Sequence, residues 1–323
     1  MPQLDMPMEQ LLHYAGRNPK PADFEAFWDD GIQEMHALDP QIELLPRAID
    51  APFAQCFDLF FTGTGGARVY AKYIRPAQIN EPIPAILQFH GYSGASDSNW
   101  SAYLSWAARG YAIAALDCRG QGGLSQDVGG TRGTTHSGHI IRGLDDALDG
   151  KPEKMYYRNV FLDTALLARI VAGFEEVDGR RVGAMGGSQG GALTLACAAL
   201  APIKRAAPTY PFLCDYQRVW EMDQAANAYA ELKTYFRNHD PRHERETEIF
   251  TALGTIDVQH LMPRVGGEVL MGVGLMDNVC PPSTQFAAFN EIAGPKQTVV
   301  YPDFGHETLP GFGDRVWEFM GGL

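Results

Sequence analysis

Cysteine is scarce in this sequence of 323 residues, and the few cysteines that occur are far apart. None of them is arranged as Cys-x-x-Cys, so the sequence has neither the spacing of a zinc ribbon nor the dense pattern of a disulfide framework. We therefore expect no metal site, free thiols and a reducing cytoplasm as the location. The five cysteines are Cys56, Cys118, Cys197, Cys214 and Cys280.

Runs of positive charge and long apolar runs are also missing. The net charge is -13, and no segment is rich enough in Lys and Arg to overcome the repulsion from a phosphate backbone, which argues against nucleic acid as a partner. Residues 1–14 lack the cationic stretch and apolar core of a signal peptide, and no segment approaches the length of a membrane span. We expect a protein that binds neither nucleic acid nor membranes.

Short apolar runs alternate with helical patterns along most of the chain. Segments 56–62 and 67–76 flank a Gly-rich turn and predict an antiparallel hairpin. Beyond them, the alternation of strands and helices is typical of a mostly parallel sheet that is covered by helices on both faces. The further predicted strands are 83–90, 111–117, 180–187, 203–210, 268–275 and 297–303.

No repeat, linker or low-complexity tract divides the chain, so we predict a single domain over residues 1–323. Within it, residues 1–50 are predicted to form an N-terminal helical extension. Residues 212–264 are predicted to form a helical insert between two strands of the sheet. The insert would lie beside the carboxyl end of the sheet, where α/β proteins bind their ligands.

The strongest motif is Gly186-Gly187-Ser188-Gln189-Gly190-Gly191, which lies between a predicted strand and a helix of small residues. It contains the pattern Gly-x-Ser-x-Gly, in which glycines two residues either side of the serine allow a sharp strand-to-helix turn. Such a turn exposes the serine oxygen and directs a helix N-terminus at a developing negative charge. The pattern predicts that Ser188 is a nucleophile in an α/β-hydrolase fold.

In that fold the acid and then the histidine follow the nucleophile, each on a loop after a later strand. Asp277 follows the predicted strand 268–275, and His306 follows 297–303. Asp303 is a competing acid, but it is so close in sequence to His306 that it is better suited to shape the turn. We therefore predict the triad Ser188, Asp277 and His306, and structural or solvated roles for His136, His139, His239 and His243.

Two backbone amides are needed to stabilise the oxyanion of an acyl-transfer reaction. One comes from the residue after the nucleophile and the other from the loop after an early strand. Gln189 follows Ser188 directly, and Tyr92 lies in the loop His90-Gly91-Tyr92-Ser93-Gly94 after strand 83–90. We predict the amides of Tyr92 and Gln189 as the two donors.

Three motifs in order resemble those of the carbohydrate esterase family that contains acetyl xylan esterases and cephalosporin-C deacetylases: Arg119-Gly120-Gln121, Gly187-Ser188-Gln189-Gly190 and His306-Glu307. Supporting stretches near residues 21–30, 90–94, 211–216 and 276–284 extend the resemblance over nearly the whole chain. The resemblance implies an α/β-hydrolase that removes acetyl groups from xylo-oligosaccharides and cephalosporin C without a metal or organic cofactor. It also implies a homo-oligomer, commonly a hexamer.

The sequence allows more than one interpretation of Arg119, Gln121 and Cys280, and of the reaction itself. An Arg-Gly-Gln turn after a strand suits a hydrogen-bonding scaffold better than proton transfer, because a guanidinium is permanently charged, so we interpret Arg119 and Gln121 as supports of the site. Cys280 either lines the pocket or is a small buried apolar residue. A peptidase, a longer-chain esterase and a non-catalytic binding protein remain alternatives, because a fold does not determine its substrate.

Overall fold

A computed structural model describes residues 4–128 and 138–323, so His136 lies outside the described residues. Nine strands of this part of the chain form one sheet in the order β1-β2-β3-β5-β4-β6-β7-β8-β9. The strands are β1 Glu43–Arg47, β2 Ala54–Thr62, β3 Arg68–Pro76, β4 Ile83–Phe89, β5 Ala112–Asp117, β6 Val177–Gly187, β7 Arg205–Thr209, β8 Glu268–Gly274 and β9 Lys296–Tyr301.

The sheet has an antiparallel end and a parallel body. β1, β2 and β3 pair antiparallel, and β3 also pairs antiparallel with β5. All pairings from β5 through β4 to β9 are parallel. The predicted hairpin and the mostly parallel sheet are therefore confirmed.

One strand was not predicted from the sequence. β1 lies within the segment predicted as a helical extension, and it pairs with β2 as the outermost strand of the sheet. It contains Pro46 and is largely exposed, so it has no apolar run that would mark it. Proline is tolerated there because an edge strand has one side without ladder hydrogen bonds.

Helices cover both faces of the sheet, and each face has its own apolar cluster. Successive side chains of β4 point to opposite faces of the sheet, so Leu87 belongs to the larger cluster and Ile86 to the smaller one. The larger cluster contains α5 and α6, and the smaller one contains α3 and α11. The helices are α1 Met8–Leu11, α2 Phe24–Ala37, α3 Leu104–Ala108, α4 Leu144–Leu148, α5 Tyr156–Ala172, α6 Gln189–Leu200, α7 Tyr216–Glu221, α8 Ala230–His239, α9 Glu246–Gly254, α10 Pro282–Glu291 and α11 Phe312–Met320.

The predicted insert between β7 and β8 contains α7, α8, α9 and a 3-10 helix at Val258–Arg264. A buried carboxylate, Asp215, joins it to the N-terminal segment by accepting hydrogen bonds from the Tyr14 hydroxyl at 2.8 Å and the Asn18 amide at 2.9 Å. This contact fixes one end of the insert. Among residues 4–128 and 138–323, no helix combines the length and the apolarity needed to cross a membrane.

Candidate active site

The carboxyl ends of three parallel strands bring Ser188, Asp277 and His306 together. Ser188 directly follows β6, Asp277 follows β8 and His306 follows β9. The His306 Nε2 atom lies 3.0 Å from the Ser188 hydroxyl oxygen, and its Nδ1 atom lies 2.8 Å from an Asp277 carboxylate oxygen. Both distances are within hydrogen-bonding range, so the three predicted residues form one connected chain of donors and acceptors.

The backbone at Ser188 has an unusual conformation, with φ 58° and ψ -120°. A positive φ is strained for a residue with a side chain and persists only where the surroundings enforce it. The surroundings here are close-packed backbone: a Cβ atom at Gly190 would lie 2.2 Å from the Phe89 carbonyl oxygen, and one at Gly186 would lie 2.6 Å from it. The glycines of the motif therefore permit the close approach of β4 that holds the serine in its turn.

Asp277 is fully buried, and both of its carboxylate oxygens have partners. One oxygen accepts hydrogen bonds from the amides of Val279 and Cys280, each at 2.8 Å, while the other faces His306. Because the first oxygen is held by two backbone donors, the second has a fixed direction. The His306 ring is further held by Tyr210, whose ring centroid lies 4.5 Å away.

The two predicted oxyanion donors lie on the turn after β6 and on the loop after β4. Gln189 is the first residue of α6, where a backbone amide has no acceptor within its own helix. Tyr92 lies in the loop after β4, and the His90 ring ties this loop to the end of β5 by accepting a hydrogen bond from the Cys118 amide at 2.9 Å. The oxyanion role of the two amides remains a prediction.

Arg119 is paired rather than directed at the triad. Its guanidinium donates two hydrogen bonds of 2.6 Å to the Asp163 carboxylate, and a third of 2.9 Å to the Thr64 carbonyl oxygen. The side chains of Arg119 and Asp163 are only 3% and 2% exposed. This ion pair joins the loop after β5 to α5 and to the turn before β3, which favours a supporting role for Arg119.

Gln121 connects the same loop to the nucleophile turn. Its amide group and that of Gln189 donate to each other, at 2.9 and 3.0 Å, and the Tyr157 hydroxyl also donates to Gln189 at 2.8 Å. The Gln189 side chain is thus fixed from the loop and from α5 together. Fixing this side chain also restrains its backbone amide, one of the two predicted oxyanion donors.

Replacing Arg119 by methionine is expected to lower the free energy of unfolding by about 3–5 kcal/mol, because the Asp163 carboxylate would be left buried and unpaired. Chemical denaturation measures this loss. The double variant R119M/D163L is expected to recover much of the stability and of the activity per folded molecule, because it removes both charges. A double variant that folds stably but has lost its turnover would instead assign Arg119 a direct part in the reaction.

Several supporting residues were not identified from the sequence. Asp163 lies inside α5, 44 residues from its partner, and no local pattern distinguishes it from other helix residues. The same holds for the contacting side chains on α5, on the loop after β7 and in the insert, which are Tyr156, Tyr157, Tyr210 and Glu231. Their importance arises from tertiary contacts, so a sequence pattern could not indicate it.

Cys280 is buried against the triad. Its sulfur and single donor atoms of Asp277 and His306 all lie within 4.8 Å of one another, and this is the one such group of possible metal ligands in the described residues. Burial raises the pKa of the Cys280 thiol well above its ordinary value, so the group stays protonated and is a poor metal ligand or nucleophile at neutral pH. The residue therefore lies at the site as a neutral thiol.

The known proteins that this chain resembles include several acetyl xylan esterases. The family model of acetyl xylan esterases matches residues 1–323. The crystal structure of acetyl xylan esterase 1 from Thermoanaerobacterium sp. JW/SL YS485 is 54% identical, with a TM-score of 0.95 and 98% of each chain covered. The acetyl xylan esterase from Paenibacillus sp. R4 is 34% identical, with a TM-score of 0.91, over 98% of this chain and 100% of that one.

A curated relative, acetyl esterase Axe7A of Xylanibacter ruminicola, is 25% identical over 307 residues, which are 93% of this chain. The aligned region spans 66% of that relative's length. The α/β hydrolase GrgF from Penicillium sp. sh18 is 15% identical, with a TM-score of 0.54 over 81% of this chain and 96% of that one. Together with the sheet order and the strand-turn-helix at Ser188, this likeness in fold confirms the predicted α/β-hydrolase fold.

Proposed function

The chain belongs to the acetyl xylan esterase family, and we propose on that premise that it is a serine esterase that removes acetyl groups from short acetyl esters. Acetylated xylo-oligosaccharides and cephalosporin C are the proposed substrates. The observation that carries the proposal is the connected chain from the Ser188 hydroxyl through His306 to the buried Asp277 carboxylate, at 3.0 and 2.8 Å. This arrangement suits nucleophilic catalysis by serine.

The proposed reaction has two halves. His306 takes the Ser188 proton on Nε2 while the serine oxygen attacks the acetyl carbonyl carbon. The tetrahedral intermediate then collapses, the bond to the alcohol oxygen breaks, and His306 gives its proton to the departing alcohol. The acetyl-enzyme that remains is hydrolysed by a water molecule that loses its proton to His306, which releases acetate and restores the Ser188 hydroxyl.

Two parts of the site stabilise the two charges that form during the proposed reaction, one on the substrate oxygen and one on His306. In each tetrahedral intermediate, the carbonyl oxygen becomes an oxyanion that accepts hydrogen bonds from the Tyr92 and Gln189 amides, worth on the order of 3 kcal/mol per donor. The imidazolium that forms at His306 faces the Asp277 carboxylate, which keeps Nδ1 protonated and Nε2 free to accept a proton. Ser188, His306, Asp277 and the two amides thus supply every group that this reaction needs.

The substrate class is tested by comparing kcat/KM for acetate release from acetylated xylo-oligosaccharides, cephalosporin C and p-nitrophenyl esters of increasing acyl length. A steep fall beyond short acyl groups supports deacetylation, whereas a preference for longer acyl chains or for peptide bonds would assign the same site to one of the alternative reactions. Labelling with a fluorophosphonate distinguishes an active serine hydrolase from a binding protein of this fold, since only an activated serine reacts.

The assembly is proposed from the family resemblance, and the location from the few, widely spaced cysteines. We expect a homo-oligomer, with the hexamer as the state that the resemblance implies, and the cytoplasm as the location. Sedimentation equilibrium at micromolar concentration measures the state directly: six times the chain mass of 35.5 kDa supports the hexamer, and a mass of one chain contradicts it. The single-domain organisation over residues 1–323 is proposed because no repeat, linker or low-complexity tract divides the sequence.

A further inference from the structure

A carboxylate of the insert lies against the loop that carries Tyr92. Glu231 is the second residue of α8, and its side chain is buried, with the residue only 6% exposed. A buried carboxylate loses its hydration and is stable only where other groups supply hydrogen bonds. The groups that supply them identify what Glu231 holds in place.

Among residues 4–128 and 138–323, three donors lie within 3.2 Å of the Glu231 carboxylate oxygens. The Tyr92 hydroxyl donates to one oxygen at 2.7 Å, and the His139 amide donates to the same oxygen at 3.2 Å. The Ile141 amide donates to the other oxygen at 3.0 Å. These donors belong to the loop after β4 and to the segment before α4, so a single carboxylate joins the insert to two loops at the active-site edge.

The segment before α4 is closely fitted to this carboxylate. Gly138 has φ +115°, and a Cβ atom at this position would lie 2.4–2.6 Å from the Glu231 carboxyl group. No side chain can be accommodated at that distance, so the backbone approaches Glu231 as closely as glycine allows. The three donors are a phenol and two backbone amides, which are uncharged, and burial raises the pKa of Glu231 to about 7.

Tyr92 is held at its ring as well as at its hydroxyl. The ring lies 5.7 Å from that of Phe212 and 5.1 Å from that of His139, measured between centroids. The backbone of the loop is held as well, since the Gly94 amide donates to the Gly91 carbonyl oxygen at 3.1 Å and the Gly122 amide to that of Gly94 at 2.9 Å. The Tyr92 side chain adds a further anchor, from the side of the insert, for the direction of its own backbone amide.

We propose that Glu231 is a positioning residue for the oxyanion hole, which acts by holding the Tyr92 side chain and thereby its backbone amide. The inference rests on the proposed function, because it requires the Tyr92 amide to be an oxyanion donor. It gives the insert a part in catalysis: the insert supplies no reacting group, but it fixes one of the two groups that stabilise the transition state.

The test is a comparison of Glu231→Gln and Tyr92→Phe, neither of which changes the Tyr92 backbone chemically. Glu231→Gln leaves one acceptor oxygen where donors face both oxygens of the carboxylate. Tyr92→Phe removes the hydroxyl that donates to Glu231 and that also accepts from the His139 amide at 3.0 Å. Each is expected to lower kcat for p-nitrophenyl acetate about tenfold with little change in KM, because a displaced donor weakens the transition state more than the bound ester. The double variant is expected to be no slower than the slower single variant, since residues that share one interaction are not additive.

Asp240→Asn is the matched control. Asp240 is also a buried carboxylate of the insert, 5% exposed, and it accepts hydrogen bonds from the Glu244 and Arg245 amides, both at 2.9 Å. It lies at the other end of α8 from Glu231. We expect Asp240→Asn to lower the melting temperature while leaving kcat unchanged, which separates loss of stability from loss of positioning.

The outcomes also separate this inference from the proposed function. If Glu231→Gln and Tyr92→Phe keep the kcat of the unaltered protein while Ser188→Ala abolishes hydrolysis, the positioning role is wrong and the esterase mechanism stands. If Ser188→Ala remains active, the mechanism is wrong and the positioning role is lost with it. If Glu231→Gln does not fold, Tyr92→Phe alone decides, because the carboxylate and its two backbone donors remain.

Discussion

Replacing Ser188 by alanine is expected to lower kcat for hydrolysis of p-nitrophenyl acetate by at least about 10,000-fold, because no acetyl-enzyme can form without the serine oxygen. A residual rate above that in water is expected, since the Tyr92 and Gln189 amides can still polarise the ester carbonyl for attack by water. The KM is expected to change little, because the hydroxyl reacts with the ester rather than binding it. Steady-state kinetics with the purified variant measures both quantities.

Labelling and thermal unfolding of Ser188→Ala serve as controls for the kinetic result. A fluorophosphonate is expected to label the unaltered protein and to leave Ser188→Ala unlabelled, and the two proteins are expected to have similar melting temperatures. Alanine has the same positive-φ strain as serine at this position, so the turn itself is not a new source of instability. Activity within tenfold of the unaltered protein would show that Ser188 is not the nucleophile.

The body of the sheet was predictable because of where its strands lie. Strands of a parallel sheet are covered on both faces, so they are recognisable as short continuous apolar runs, and β5 is buried along its whole length. The outermost strand β1 is largely exposed and contains a proline, so it has no such signal.

The residues of the site also fall into two groups: some are marked by a local sequence pattern, and others are distinguished only by tertiary contacts. Ser188, Asp277 and His306 could be placed because each directly follows a recognisable strand and because the fold dictates their order. The partners of the site could not be placed: Asp163 and Glu231 lie in ordinary helices and are distinguished by contacts 44 and 139 residues away along the chain. Sequence patterns therefore indicated the proposed reacting groups, and the structure was needed to find the side chains that contact them.

Replacing Asp277 by asparagine is expected to lower kcat about 10,000-fold while the geometry of the site is preserved. The amides of Val279 and Cys280 both donate to one oxygen of Asp277, so the asparagine carbonyl oxygen is expected to take that position. The asparagine NH2 group would then face His306 Nδ1, where the native carboxylate oxygen lies at 2.8 Å.

A donor at that position stabilises the tautomer of His306 that carries its proton on Nε2, and this tautomer cannot accept the Ser188 proton. Asp303→Asn is the matched comparison, because Asp303 is the competing acid three residues before His306 and its side chain is exposed. We expect Asp303→Asn to keep kcat within about twofold, in line with a surface substitution away from partners. Kinetics of the two variants side by side decide the acid: a severe loss in Asp303→Asn with near-normal turnover in Asp277→Asn would transfer the role to Asp303.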